Sequence, residues 1–241
     1  MSEKPLVVIT GASSGIGEAT AKLFSEKGYP LLLLARRIDK MEALNLPNTL
    51  CRKLDVTDRD AFKLVIKEAE DKFGPVDCLV NNAGLMQLSP FVAQNPTEWD
   101  NMIDVNVKGL LNGMHAVLES MYERKHGSIY NVSSVAGIKI FPNHSVYCGT
   151  KFSVHAISDA VREEAGANNV RVAVIAPGAV ETELLGHTTN NDIIEGYEEW
   201  KKQIGGALIP EDIAHSILYA YEQPQRVNIR EIVITCTGQE A

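Results

Sequence analysis

The sequence has few cysteines, and they are badly placed for joint work. Cys51, Cys78, Cys148 and Cys236 are far apart, with no Cys-x-x-Cys pair. This excludes a disulfide framework and a zinc-knuckle arrangement, and leaves them as small core residues. Its 6 histidines are scattered without metal-ligand spacing, so no metal is expected. Long apolar runs are missing too: "LVVI" and "LLLLA" fall far short of the roughly 20 residues that span a bilayer. The opening "MSEKPLVVIT" lacks the apolar segment and small-residue cleavage site of a secretory signal. A cytoplasmic protein without a membrane partner is the expectation. Positive charge is also in deficit, with 23 Lys and Arg against 31 Asp and Glu, a net charge of -8 and a pI near 5.3. That balance argues against nucleic acid as the main partner.

What is present suits one compact domain. The 241 residues are 45% hydrophobic and 22% charged, enough to bury a sizeable core. Short runs rich in Val, Ile and Leu alternate with amphipathic stretches. "PLVVIT", "PLLLLA", "TLCRKL", "VDCLV", "GSIYNV", "VRVAVIA" and "EIVIT" read as strands. Helices are expected over 15–27, 58–73, somewhere in 97–124, about 145–166 and near 211–223. Near-continuous apolar strands separated by helices imply a parallel sheet covered on both faces. The fold class is therefore α/β, a doubly wound parallel sheet, whose ligand crevice lies beyond the carboxyl ends of the strands. The residues after the strands agree: "GASSGIG", "NNAG", "SSVAG" and "PGAVET" are small and polar. Segment 183–208 has no clear strand character and reads as a mobile lid or substrate loop.

"TGASSGIG" sets Gly11, Gly15 and Gly17 between a strand and a helix, where glycine lets the backbone approach a phosphate and the helix start offers free N–H groups. The spacing differs from the common GxGxxG fingerprint. It resembles instead the TGxxxGxG motif of the short-chain dehydrogenase/reductase family. The resemblance runs over nearly the whole chain: "LDVTD" at 54–58, "NNAG" at 81–84, Asn106 in "DVNVKG", "NVSSVAG" at 131–137, "YCGTK" at 147–151 and "APGAVET" at 176–182 follow in the family's order. It implies a single Rossmann-type domain over 1–241, with about seven strands and a homotetramer or homodimer.

Two Tyr-x-x-x-Lys spacings occur, Tyr147 with Lys151 and Tyr197 with Lys201. In the family the working tyrosine has a serine 13 residues upstream. Ser134 stands there for Tyr147, whereas no serine stands there for Tyr197, whose spacing is read as accidental. A free phenol, with a pKa near 10, yields little phenolate at neutral pH. A cation such as Lys151, on the same helix face, lowers that pKa and lets Tyr147 act as general acid in reduction and general base in oxidation. Ser134 then positions the reacting oxygen. By resemblance Asn106 holds a water that links Lys151 to solvent, and Lys151 also contacts the nicotinamide ribose. The catalytic set is thus Asn106, Ser134, Tyr147 and Lys151.

The second strand ends in "LLLLARR". Relatives that prefer NAD usually carry Asp where this chain has Ala35; a carboxylate accepts from a ribose 2′-hydroxyl but repels a 2′-phosphate, which an arginine can pair with. Arg36, with Arg37, therefore points to NADP(H). The competing reading makes both arginines a solvated pair and gives the ribose to Asp39. The remaining cofactor residues implied by resemblance are Ser13, Ser14 and Ile16 beside the three glycines, Asp55 and Val56 at the adenine, Ala83 and Gly84 at the ribose, and Pro177, Gly178, Val180 and Thr182 at the carboxamide. Asn81 is either a further ligand or a strand-stabilising residue.

Fold and tetrad do not name the substrate. Segments 85–91, 138–143 and the lid are the candidate pocket, with Leu85, Met86, Phe91, Ile138 and Phe141 apolar and Lys139, Glu195, Glu198, Lys201 and Lys202 charged. The "LARR" strand end and "REIVIT" finish resemble a subgroup that includes NADP-dependent 3-hydroxy acid and serine dehydrogenases. A secondary alcohol or a 3-hydroxy acid and its carbonyl are the expected substrates. An acidic substrate needs a cation, and those segments contain no arginine. An NAD(H)-linked dehydrogenase and a non-catalytic NADP(H) sensor are the alternatives.

Overall fold

A computed structural model describes residues 4–240. Seven strands form one all-parallel sheet: β1 Leu6–Thr10, β2 Leu31–Ala35, β3 Thr49–Lys53, β4 Val76–Asn81, β5 Gly127–Val132, β6 Val170–Pro177 and β7 Glu231–Ile234, in the order β3-β2-β1-β4-β5-β6-β7. The chain winds outward from β1 through β2 to β3, then returns to the other side of β1 at β4. That reversal opens a crevice at the carboxyl ends of β1 and β4.

Alternation along the strands decides which helices cover which face. Val7, Ile9, Leu31 and Leu33 pack with Phe24 of helix α1 (Gly15–Glu26) and Ile213 and Ile217 of α8 (Pro210–Tyr221). Leu6, Val8, Leu32 and Leu34 face the other way, onto Phe62 of α3 (Arg59–Phe73), Val117 of α5 (Leu110–Arg124) and Val154 of α6 (Ser145–Gly166). All of these strand residues are fully buried, so truncating one leucine to alanine costs about 2–5 kcal/mol.

Helix starts follow from side chains that accept from free backbone N–H groups. Asp58 accepts from Ala61 at α3, and Asn95 from Thr97 at α4 (Pro96–Ile103), which has proline in its first turn.

Three elements depart from the sequence expectation. A short α2 (Ile38–Glu42) follows the two arginines. The single helix expected in 97–124 is α4 and α5 joined through a π-helical stretch, Asp104–Gly109, in which an extra residue is accommodated in the turn. Gly109 lies in it against Val56, where any side chain would overlap the valine. The segment 183–208, expected as a loop, contains a 3₁₀ turn, Glu183–His187, and α7 (Asn191–Gln203), which Asn190 caps by accepting from Ile193. The apolar residues of α7 are too few and too interrupted by charge for the helix to stand out in the sequence.

Candidate active site

The loop from β1 to α1 turns at Gly11 with φ +66°, a conformation that favours glycine, and a Cβ there would sit 2.9 Å from Ala83 Cα. One turn later, an added methyl on Gly17 would overlap the Gly11 carbonyl. The loop is sewn to the end of β4. Asn82 Nδ2 donates to the carbonyls of Thr10 (3.0 Å) and Gly11 (3.3 Å), and Thr10 Oγ1 accepts from the backbone N–H groups of Asn82 and Ala83, both at 3.0 Å.

Above this loop lies a cleft of about 380 Å³. Gly11, Ser13, Ser14, Gly15 and Ile16 floor one part of it, Asp55 and Val56 lie beside Ala83 and Gly84, and Pro177, Gly178, Val180 and Thr182 border another part. Gly17 and Asn81 do not line it. Asn81 is buried beneath, donating to Asn131 Oδ1 at 3.0 Å, and Asn131 in turn donates to Ser158 Oγ at 2.9 Å. Of the two readings of Asn81, the strand-stabilising one matches these contacts.

Ser134, Tyr147 and Lys151 converge in the same cleft. Ser134 ends the β5 loop and starts a 3₁₀ turn by accepting from Ala136 N–H at 3.0 Å. Its hydroxyl also hydrogen-bonds the Tyr147 side chain. Tyr147 is buried, and burial raises its pKa well above that of a free phenol; the Ser134 bond opposes the rise and neighbouring Tyr197 adds to it. Lys151 donates to the Val132 carbonyl at 3.0 Å and lies 5.7 Å from the Tyr147 ring centroid. Burial lowers its pKa to about 8. Both groups thus shift towards neutrality, as a desolvated pair awaiting a compensating charge does.

Asn106 lies on the π-helical stretch, which turns it inward against the loop after β4. Its Nδ2 donates to the Leu85 carbonyl (2.9 Å) and Thr150 Oγ1 (3.1 Å), and its Oδ1 accepts from Leu85 N–H (2.7 Å). A small space of about 10 Å³ is bounded by Asn106, Lys151, Val132 and Thr10 among others, comparable to one water.

At the rim beyond β2, Arg37 donates to Ser13 Oγ (3.3 and 3.2 Å) and Ser14 Oγ (2.8 Å), and pairs with Glu183 at 2.7 Å. Lys40 pairs with the same carboxylate at 2.9 Å. These two cations hold the Glu183 pKa down at about 2. Arg36 lines the cleft and has no ion pair among the described residues; its charge helps keep Asp55 ionised, where bonds from Thr57 outweigh the effect of burial. Asp39 does not line the cleft.

Segment 183–208 also reaches this cleft. Tyr197 and Lys201, expected to be an accidental pair, share one face of α7 and both line the cleft, as does Glu198. Lys201 nevertheless has a different environment from Lys151. It donates to both oxygens of Glu181 at 3.0 Å and pairs with Glu198 at 2.8 Å, and these bonds raise its pKa against the effect of burial. Lys139, Glu195 and Lys202 do not line the cleft, nor do Phe91 and Ile138, which are largely exposed. Met86, Leu88, Met102 and Tyr147 form an apolar cluster against which Leu184, Leu185 and Tyr197 pack.

Sequence reasoning missed Thr10, Asn82 and Glu181. The first two were visible as neighbours of the glycine motifs, and only their side-chain directions distinguish them. Glu181 lies inside the quoted "APGAVET", but its partner comes from α7, 20 residues on. Among the described residues no group of three His, Cys, Asp or Glu side chains is arranged to hold a metal, and no helix is long and apolar enough to cross a membrane.

A parallel sheet with a glycine-rich first turn, a cleft over its switch point and a Ser, Tyr and Lys cluster inside defines a dinucleotide-type oxidoreductase. The short chain dehydrogenase profile matches residues 5–192, and the chain belongs to that family. It is 42% identical over 240 residues to an uncharacterized oxidoreductase of Staphylococcus saprophyticus, covering 97% of this chain and 96% of that one. It is 39% identical over 237 residues to a glycine betaine reductase of Emericella nidulans, matching 95% of this chain but only 18% of that larger protein. Among solved structures, the closed form of a serine dehydrogenase complexed with NADP+ superposes with a TM-score of 0.91 at 32% identity, over 98% of this chain and 96% of that one.

Proposed function

We propose that this oxidoreductase uses NADP(H) to interconvert a carbonyl compound and its alcohol, with Tyr147 as general acid and base. The observation that carries the reading is the cluster of half-buried Ser134 with buried Tyr147 and Lys151 in the cleft above the glycine-rich turn. The glycine loop fits a dinucleotide: its surface is kept clear of side chains at Gly11 and Gly15, and the α1 N-terminus behind it favours a diphosphate. When bound, the dihydronicotinamide supplies a hydride. Ser134 hydrogen-bonds the substrate oxygen, Tyr147 delivers the proton to it, and Lys151 holds the ribose and stabilises the phenolate left behind. The small space between Asn106 and Lys151 suits one water, through which Lys151 recovers its proton from solvent. Segment 183–208 serves as the lid. Thr188 Oγ1 ties it to residues 86–88, accepting from Leu88 N–H at 3.2 Å and donating to the Met86 carbonyl at 3.3 Å, while Leu208 returns it to Ala179.

NADP(H) over NAD(H) is supported by Ala35 in place of a carboxylate and by Arg36, whose guanidinium is uncommitted among the described residues and borders the cleft. The NADP+ in the similar serine dehydrogenase supports it as well. The test is fluorescence-detected binding of NADPH and NADH to the wild type and to Arg36→Ala. A preference for NADPH that collapses in the variant is expected. Equal binding of the two, unchanged by the substitution, overturns the choice.

A further inference from the structure

The substrate end of the cleft carries a charge arrangement that the reaction itself does not require. Lys201 is buried and is the one lysine of the lid helix that lines the cleft, yet its ammonium is already shared between two carboxylates, Glu181 at 3.0 Å and Glu198 at 2.8 Å. All three line the cleft, and their sum is one negative charge. Tyr197, whose hydroxyl feels the charges of all three, packs against the apolar cluster that holds Tyr147 and meets Trp200 edge-on at 5.2 Å. His144, whose ring lies 6.3 Å from that of Tyr147, is kept towards neutrality by burial. Lys151 faces the Val132 carbonyl and the proposed ribose position. Among the described residues no lysine or arginine of the lid that lines the cleft is therefore left over to receive a carboxylate, while the Tyr197 ring and an unbalanced carboxylate border the cleft and suit an ammonium.

We propose that Glu181, Glu198 and Lys201 select the substrate by charge, favouring a small aldehyde or ketone that carries an ammonium group and turning away one that carries a carboxylate. The inference rests on the carbonyl-reductase reading above. In the step proposed, the carbonyl carbon accepts a hydride from the dihydronicotinamide and the carbonyl oxygen accepts the Tyr147 proton. The C=O π bond is replaced by C–H and O–H bonds, the substrate leaves as an alcohol, and the nicotinamide is oxidised. The ammonium takes no part in this exchange and is recognised by Tyr197 and the excess carboxylate. A carboxylate in the same place has to displace Glu181 or Glu198 from Lys201 and face their repulsion.

Three aldehydes of similar size separate the possibilities: trimethylammonioacetaldehyde, its uncharged isostere 3,3-dimethylbutanal, and the anionic succinic semialdehyde. With wild-type protein and NADPH, kcat/KM is expected to fall in the order cation, neutral, anion, by about tenfold at each step, as one unit charge at several ångströms in a partly hydrated cleft allows. In the Glu181→Gln, Glu198→Gln double variant, which frees the Lys201 charge, the cation-to-neutral ratio drops at least tenfold and the anion-to-neutral ratio rises as much. Lys201→Met moves both ratios the other way. An independent readout is the quenching of tryptophan fluorescence by tetramethylammonium, which wild type is expected to show and the double variant to lose. A neutral aldehyde reduced as well as the cation, or ratios unmoved in both variants, overturns the charge filter while leaving the reductase reading intact. Reduction of none of the three with either cofactor overturns that reading itself.

Discussion

Asn106 holds Leu85 at both ends of its backbone, accepting from its N–H at 2.7 Å and donating to its carbonyl at 2.9 Å. A side chain bonded in this way cannot turn aside, so the loop after β4, the π-helical stretch and α6 through Thr150 are locked together beside the cleft. Asn106→Ala leaves the Leu85 N–H and C=O unpaired. A stability loss of roughly 1–3 kcal/mol is expected in chemical denaturation, because partly buried polar groups lose their partner. Turnover should fall together with it, since Lys151 loses its neighbour.

Tyr147→Phe removes the proton donor and keeps the ring's packing. Activity should fall by about 10²–10⁴-fold, the usual range for a general acid, while NADPH binding measured by fluorescence stays within a few-fold of wild type. Tyr197→Phe touches only the lid's contribution and should cost about tenfold or less on a neutral aldehyde. Finding the larger loss at Tyr197 would move the reaction centre to the lid.

The pH profile should depend on direction. With its pKa raised, Tyr147 is protonated at neutral pH, so reduction is expected to hold level through neutrality and oxidation of the alcohol to climb with pH. In the free protein Lys151 titrates near 8, below its ordinary 10.5. Between those values the unfolded chain binds more protons than the folded one, so this residue makes stability rise with pH across that window. Denaturation curves of wild type and Lys151→Met from pH 8 to 10 should differ in slope in that sense.

Glu183 ties the lid's first turn to Arg37 and Lys40, and its pKa is held at about 2 instead of 4.5. A depressed carboxylate contributes stability above pH 4.5 and loses it as pH falls towards 2. The groups are half exposed, so the contribution is at most about 1 kcal/mol. Glu183→Gln should lower the denaturation midpoint at pH 6 slightly and make the wild-type and variant curves converge below pH 4.

The sheet and most of its helices were readable because their signals are local. "LVVI" and "LLLLA" are continuous apolar runs, which suit strands buried on both faces, and the first leads through Thr10 into the glycine-rich turn while the second ends at Arg36 and Arg37. Helix α7 was hidden because it buries a narrow face, chiefly Tyr197 and Lys201, under a surface of Glu, Asp and Lys. The π-helical stretch at Asp104–Gly109 left no trace either, since its residues fit an ordinary helix and only the approach of Gly109 to Val56 and of Asn106 to Leu85 reveals the extra residue.

By itself the sequence determined the strand order of events along the chain, the glycine-rich turn, and Ser134, Tyr147 and Lys151 as a set, because backbone freedom and side-chain chemistry are written in single residues and short spacings. Only the tertiary structure decided that Asn81 is tied beneath the cleft, that Arg37 is committed to Ser13, Ser14 and Glu183 while Arg36 is not, and that Lys201 is shared by Glu181 and Glu198. Each of those outcomes turns on which partner a polar side chain meets across the fold. Such a choice depends on distances between segments far apart in sequence, and no local pattern contains it.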